Sequence, residues 1–159
     1  MLRNAKRILG AVLAACGLTA VAIGIAWATP GAGISTTIIS GPTVLGEVHL
    51  NSDSEINDVK IKTKGLSDVY VVKNTIAPGG HTGWHSHPGP SIISVVSGQA
   101  TEYRSDDPHG IVHAANTAFV DEGGDHAHII VNEGTADLVL VAFQVLPLGA
   151  PRRIDLPAP

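Results

Sequence analysis

The pattern of apolar and polar positions divides the chain into two unequal parts. Ile8 to Ala28 is one apolar run without a charge, preceded by Arg3, Lys6 and Arg7. From Ile34 onward no helical period of useful length appears. Short runs rich in Val, Ile and Thr alternate there with Gly, Pro, Asn and Asp, the pattern of strands and turns. Ile34 to Ser40 is predicted as a strand that stops at Gly41-Pro42, and Val44 to Leu50 as a second. Val59-Lys60-Ile61-Lys62-Thr63-Lys64 alternates strictly, so a half-exposed strand with its lysines on one face is expected. Val69 to Ile76 follows and closes at Ala77-Pro78-Gly79-Gly80. Ser91 to Val96 is apolar on both faces, which predicts a central strand, and Gln99 to Tyr103 pairs with it across Gly98. Shorter strands are predicted at Ile111–His113, Thr117–Asp121 and Ala127–Val131, and a long one at Asp137–Leu146. The tail from Pro147 holds four prolines and is expected to lie extended on the surface. About ten short strands separated by turns predict an all-β sandwich or barrel. No internal repeat is evident.

The leading part has the basic start, apolar middle and small-x-small close (Ala26-Trp27-Ala28) of an export signal cleaved after Ala28. The alternative is an uncleaved apolar helix that anchors the protein, since residues 8–28 match the ~20 needed to span a bilayer. Either way the body is expected outside the cytoplasm, secreted or periplasmic or held at the membrane. Leu13-Ala14-Ala15-Cys16 also resembles a lipoprotein box, but the apolar run continues well past Cys16.

Charge and composition narrow the function. The formal net charge is -4, and without Arg3, Lys6 and Arg7 the rest has 7 positive against 14 negative residues. An acidic body with 4% aromatics and no basic stripe is not expected to bind nucleic acid. Cys16 is the single cysteine, so the body has no disulfide, no thiolate ligand and no cysteine nucleophile. Any metal must be held by histidine, carboxylate or carbonyl groups.

The remaining chemistry gathers in Gly79–Gly98, which reads GGHTGWHSHPGPSIISVVSG. His85 and His87 alternate and so share a face, as do His126 and His128 further on. Two such pairs beside Gly-rich turns point to a metal site, because imidazole is the common nitrogen ligand for zinc, copper, iron and nickel. His81 sits in the turn before His85 and is a candidate for the pocket mouth. His49, His109 and His113 stand alone and are read as ordinary histidines.

Gly79-x5-His85-x-His87-x3-Ser91-x6-Gly98 resembles the first conserved motif of the cupins, with Ser91 where the family normally has a glutamate ligand. Glu122-Gly123-Gly124-Asp125-His126-Ala127-His128, followed by Asn132, echoes the second motif without its proline. The His-x3-Asn spacing favours His128 as the third ligand, and the spacing from Gly123 leaves His126 as the alternative. The resemblance spans roughly residues 60–145. It implies a cupin barrel, a jelly-roll double-stranded β-helix, over 34–148. The preceding parts are the leader 1–28 and a linker 29–33, and 149–159 is the tail. It also implies one divalent metal ion inside the barrel and a possible homodimer through outer strands.

Three neutral histidines leave the ion's charge uncompensated, which favours iron, zinc, copper or nickel over manganese and attracts a small anionic ligand. Glu122 or Asp125 is a candidate carboxylate from the second motif, and an exposed turn residue is the alternative for each. Ser91 is expected in the pocket. Tyr103 is a candidate acid or hydrogen-bond donor facing the cavity, or else a packing residue at the rim. Two functions remain open. One is a small-molecule dioxygenase or isomerase. The other is a non-catalytic barrel that binds a metal or small ligand.

Overall fold

Twelve strands are found among the described residues, which in the computed structural model of the chain are 28–159 without 54, 56 and 57. They are β1 (Ala32–Leu45), β2 (His49–Asp53), β3 (Asp58–Lys62), β4 (Ser67–His81), β5 (His85–Ser86) and β6 (Ser91–Ser97), then β7 (Gln99–Arg104), β8 (Ile111–Ala114), β9 (Ala118–Asp121), β10 (His128–Val131), β11 (Leu138–Pro147) and β12 (Ile154–Asp155). The leader and apolar helix expected over residues 1–28 lie outside the described residues apart from Ala28. Among the described residues no helix is long and apolar enough to cross a membrane.

Ten strands form one continuous, nearly closed sheet. One wall runs β1-β4-β11-β6-β9 and the other β12-β5-β10-β7-β8, and they join where Val131 of β10 meets His81 of β4. This is the expected all-β jelly-roll barrel. The core lies between the walls. Along β11, Leu138, Leu140, Ala142, Gln144 and Leu146 point inward and are buried, as period-two alternation requires. Ile76, Ile93, Val95, Phe119 and Ile130 complete the apolar cluster. Fully burying a side chain such as Ile76 or Leu138 contributes roughly 1.5–3 kcal/mol.

Four local expectations change. β7 does not pair with β6 across Gly98 but crosses to the other wall, between β10 and β8. The strand predicted to stop at Gly41-Pro42 runs on. Register slips between Ser40 and Thr43, and pairing with β4 resumes at Thr43–Val69. Gly41 permits this bulge because its φ is +113° and a Cβ there would stand 2.5 Å from the Val69 carbonyl oxygen. The Val59–Lys64 strand is exposed on both faces, because β2 and β3 form a separate two-stranded arm with no wall behind it. Central β6 is buried on one face only, leaving Ile92 and Val96 about half exposed beside Val120 and Phe143. The tail lies at the surface as expected, and it is paired there. Ile154 and Asp155 pair with Ser86 and His85, and Leu156 bonds both Trp84 and Thr29. The presumed linker and tail are therefore clasped together at the edge of β5.

Candidate metal centre

Strand β5 consists of His85 and Ser86, and the chain turns out of it at His87-Pro88-Gly89-Pro90. His85 and His87 project to the same side. His128, the first residue of β10, is the direct ladder partner of His85. All three histidines are buried, and their candidate donor atoms lie within 4.8 Å of one another. The structure thus brings His128, not His126, to the first pair. His126 is 62% exposed at its side chain and stands 4.0 Å from Glu122, which is more exposed still.

Each ring is fixed from behind. His85 Nδ1 meets the Gly83 carbonyl at 2.9 Å, His87 Nδ1 the Arg152 carbonyl at 2.7 Å, and His128 Nδ1 the Glu102 carboxylate at 3.1 Å. These oxygens accept, so all three Nδ1 atoms donate and all three Nε2 atoms are left facing one another. Burial holds His85 well below the usual histidine range, so it stays neutral, and burial also lowers His87; His128 adds to the effect in both. Nε2 of His85 and of His128 stand 3.2 Å apart. Three imidazole nitrogens turned to one buried point are a donor set that fits a divalent ion.

Glu102, unremarked in the sequence, is the chief support. It is 1% exposed and also meets His113 Nε2 at 3.2 Å and Arg104 Nη2 at 3.3 Å. Burial works to raise its carboxyl, but hydrogen bonds from His128, Arg104 and His113 together bring it down to about 2. A carboxylate behind a ligand histidine fixes its tautomer and strengthens it as a donor. His113 is accordingly part of this network, and its ring stacks on Phe119 at 3.8 Å. Alternation along β7 puts Ala100, Glu102 and Arg104 on one face, a signal present in the sequence. The register that sets Arg104 opposite His128 is not.

The other candidates disperse. Tyr103, on the opposite face of β7 from Glu102, donates its hydroxyl to Glu133 at 2.7 Å and does not line the histidine cavity. His81 accepts from the Gly83 N–H at 3.1 Å and is also off the cavity wall. Ser91 is buried beneath the site, where its hydroxyl accepts from Gln144 Nε2 at 3.2 Å. Glu122 and Asp125 are exposed. Asp121, just before them, is buried at 4% exposure. Its Oδ1 accepts from the Gly123 N–H, and its Oδ2 has no partner and stands 3.9 Å from His87 Nε2.

The histidines face a cavity of about 260 Å³. Its lining is apolar at Ile93, Ile130, Leu140 and Ala142 and polar at buried Gln144 and at the half-buried Arg152 and Arg153. Residues 73–143 match the family model for the cupin domain. Among solved structures, a cupin-like protein from Thermotoga maritima is 20% identical, with a TM-score of 0.50 over 57% of this chain and 65% of that one. An uncharacterised conserved protein with a double-stranded β-helix domain from Klebsiella pneumoniae is 18% identical, with a TM-score of 0.49 over 70% and 84% of the two chains. A cupin domain from Bordetella pertussis is 18% identical, with a TM-score of 0.44 over 63% and 93%. At 20% identity the likeness to the Thermotoga protein bears on the fold alone. No curated protein sequence matches the chain.

Proposed function

We propose that this cupin is a mononuclear metalloprotein that acts on a small anionic organic molecule, as a dioxygenase or isomerase. The observation that carries the proposal is the convergence of three Nε2 atoms, each with its Nδ1 already engaged, on a cavity that is also lined by two adjacent guanidinium groups. His85, His87 and His128 would hold the ion, of iron, zinc, copper or nickel type. Bound there, it would supply Lewis-acid or redox chemistry at its open positions.

The chain's own groups do the rest. Burial lowers the Arg152 guanidinium from its usual value, and neighbouring Arg153 lowers it further. Two partly buried cations side by side favour an anion between or beside them. Arg152 is steered by Gln144 at 3.4 Å, while Arg153 is tied to Asp155 and to the Thr82 carbonyl. Ile93, Leu140 and Ala142 keep their part of the cavity dry.

The second reading is binding without turnover. It is favoured by the state of Asp155, the one carboxylate on the cavity wall among the described residues, which is already paired with Arg153 and is poorly placed as a free acid or base. We also propose that the protein is exported. The support is the basic, apolar and small-x-small pattern of residues 1–28.

Elemental analysis of the purified protein tests the metal. Near-stoichiometric metal is expected in the natural chain and in His126→Ala, and little in His85→Ala, His87→Ala or His128→Ala. No bound metal under any loading would sink the metalloenzyme and the metal-binding reading, and leave a barrel that binds a small ligand without metal. Metal without oxygen uptake or product formation across a panel of small carboxylates, by electrode and NMR, would leave binding alone.

A further inference from the structure

Ser91 stands where a carboxylate ligand is expected, and its direct partner across the β6–β9 ladder is Asp121. Paired residues on one face of an antiparallel ladder have Cβ atoms only about 4.5–5.5 Å apart. Both residues are buried. We propose that Asp121 is the fourth protein ligand of the metal centre, supplying from β9 the carboxylate that β6 lacks. The inference rests on the three-histidine reading of the site.

Three observations support it. First, Asp121 lies on the ligand side of its neighbour. His87 Nδ1 is committed to the Arg152 carbonyl, and Asp121 Oδ2 stands 3.9 Å from the other nitrogen, Nε2. Glu102, by contrast, stands behind the Nδ1 of His128. With bonds of about 2.0–2.2 Å, two donors on one ion lie roughly 3–4 Å apart, which includes this distance. Asp121 is outside the mutual set of histidine donors and approaches from the His87 side, so its carboxylate closes on the ion only when one is bound.

Second, Oδ2 is the one buried side-chain polar atom without a partner among the described residues. A buried carboxylate oxygen left unpaired is costly, and a divalent cation is the partner that removes the cost. Third, the loop is built to hold the carboxylate there. The Gly123 N–H fixes Oδ1, and the Gly124 N–H bonds the His87 carbonyl at 2.7 Å. Oδ2 is thereby left free beside the imidazole. One carboxylate would also reduce the uncompensated charge of a three-histidine site to that of a monocation.

The test uses the full chain with Co(II) as probe. Dissociation constants come from chelator competition, and coordination from the visible absorption of the ion. Asp121→Asn keeps the oxygen that accepts from Gly123. It is expected to weaken Co(II) binding at least about 100-fold, beyond the 10–100-fold typical of losing an outer partner, and to change the spectrum. Adding Ser91→Glu to Asp121→Asn should restore much of the affinity. Without metal, Asp121→Asn should unfold at the same or higher urea concentration than the natural chain, because it removes an unpaired buried charge. A residue with only a structural role would lower that midpoint. Unchanged affinity and spectrum in folded Asp121→Asn, with binding still abolished by His85→Ala, would overturn the ligand and leave the three-histidine centre standing. Absence of Co(II) binding by the natural chain would overturn both.

Discussion

Glu102→Gln removes one charge from behind His128 while keeping size and an oxygen that can accept from Nδ1. The carboxyl is held at about 2 in the folded chain, against 4.5 ordinarily. A depressed carboxyl stabilises the fold above its unfolded value and loses that contribution as pH falls through its folded value. The window is therefore pH 4.5 down to 2. Its size is the gap of roughly 2.5 units at 1.36 kcal/mol each, or about 3 kcal/mol, an upper figure because Arg104 is partly exposed. In chelator, urea unfolding should place the variant below the natural chain by up to that amount at pH 6, with the two converging near pH 2. With metal, losing the charge behind a ligand imidazole should weaken affinity about 10–100-fold. A gap that stays constant from pH 6 to pH 2, or unchanged metal affinity, would refute the role given to Glu102.

Three further outcomes follow from the same geometry. Gly123 has φ +73°, and a Cβ there would stand 2.4 Å from the Gly89 carbonyl oxygen, so Gly123→Ala should cost about 1–3 kcal/mol in urea unfolding; an unchanged midpoint would contradict the packing of this loop on residues 87–89. Deleting residues 151–159 removes the Arg152 carbonyl that orients His87, together with both cavity arginines. Metal affinity by chelator competition should fall at least about tenfold, and a folded truncation that binds as tightly as the full chain would show the clasp to be dispensable. Burial depresses His85 and His87, so the unfolded chain takes up protons that the folded chain refuses. Metal-free stability should then fall as pH drops below 6.5, approaching roughly 1.4 kcal/mol per pH unit from His85, with His87 acting in the same direction, and a flat profile between pH 6.5 and 5 would count against a neutral His85.

What the sequence makes legible here is whatever runs along one strand. Period-two alternation marks Asp137–Leu146, the His-x-His spacing puts His85 and His87 on one side, and the His-x3-Asn spacing favours His128 over His126. The hidden parts are those that arise between strands. Gly41-Pro42 reads as a stop, yet it forms a bulge, because β4 continues alongside and recaptures the backbone at Thr43. The tail reads as surface, but its pairing is not legible: the open edge of β5 leaves backbone groups that Ile154–Leu156 satisfy. Glu102 and Asp121 each end up against a histidine through ladder registers, Arg104 with His128 and Ser91 with Asp121, that join residues 24 to 30 positions apart. A motif read linearly finds Ser91 and records a missing carboxylate. A ladder read crosswise finds Asp121 at the same place in the barrel, because neighbouring strands present their side chains to the same interior. For a site assembled on a barrel wall, the loss of a ligand along one strand is therefore not yet the loss of that ligand from the site.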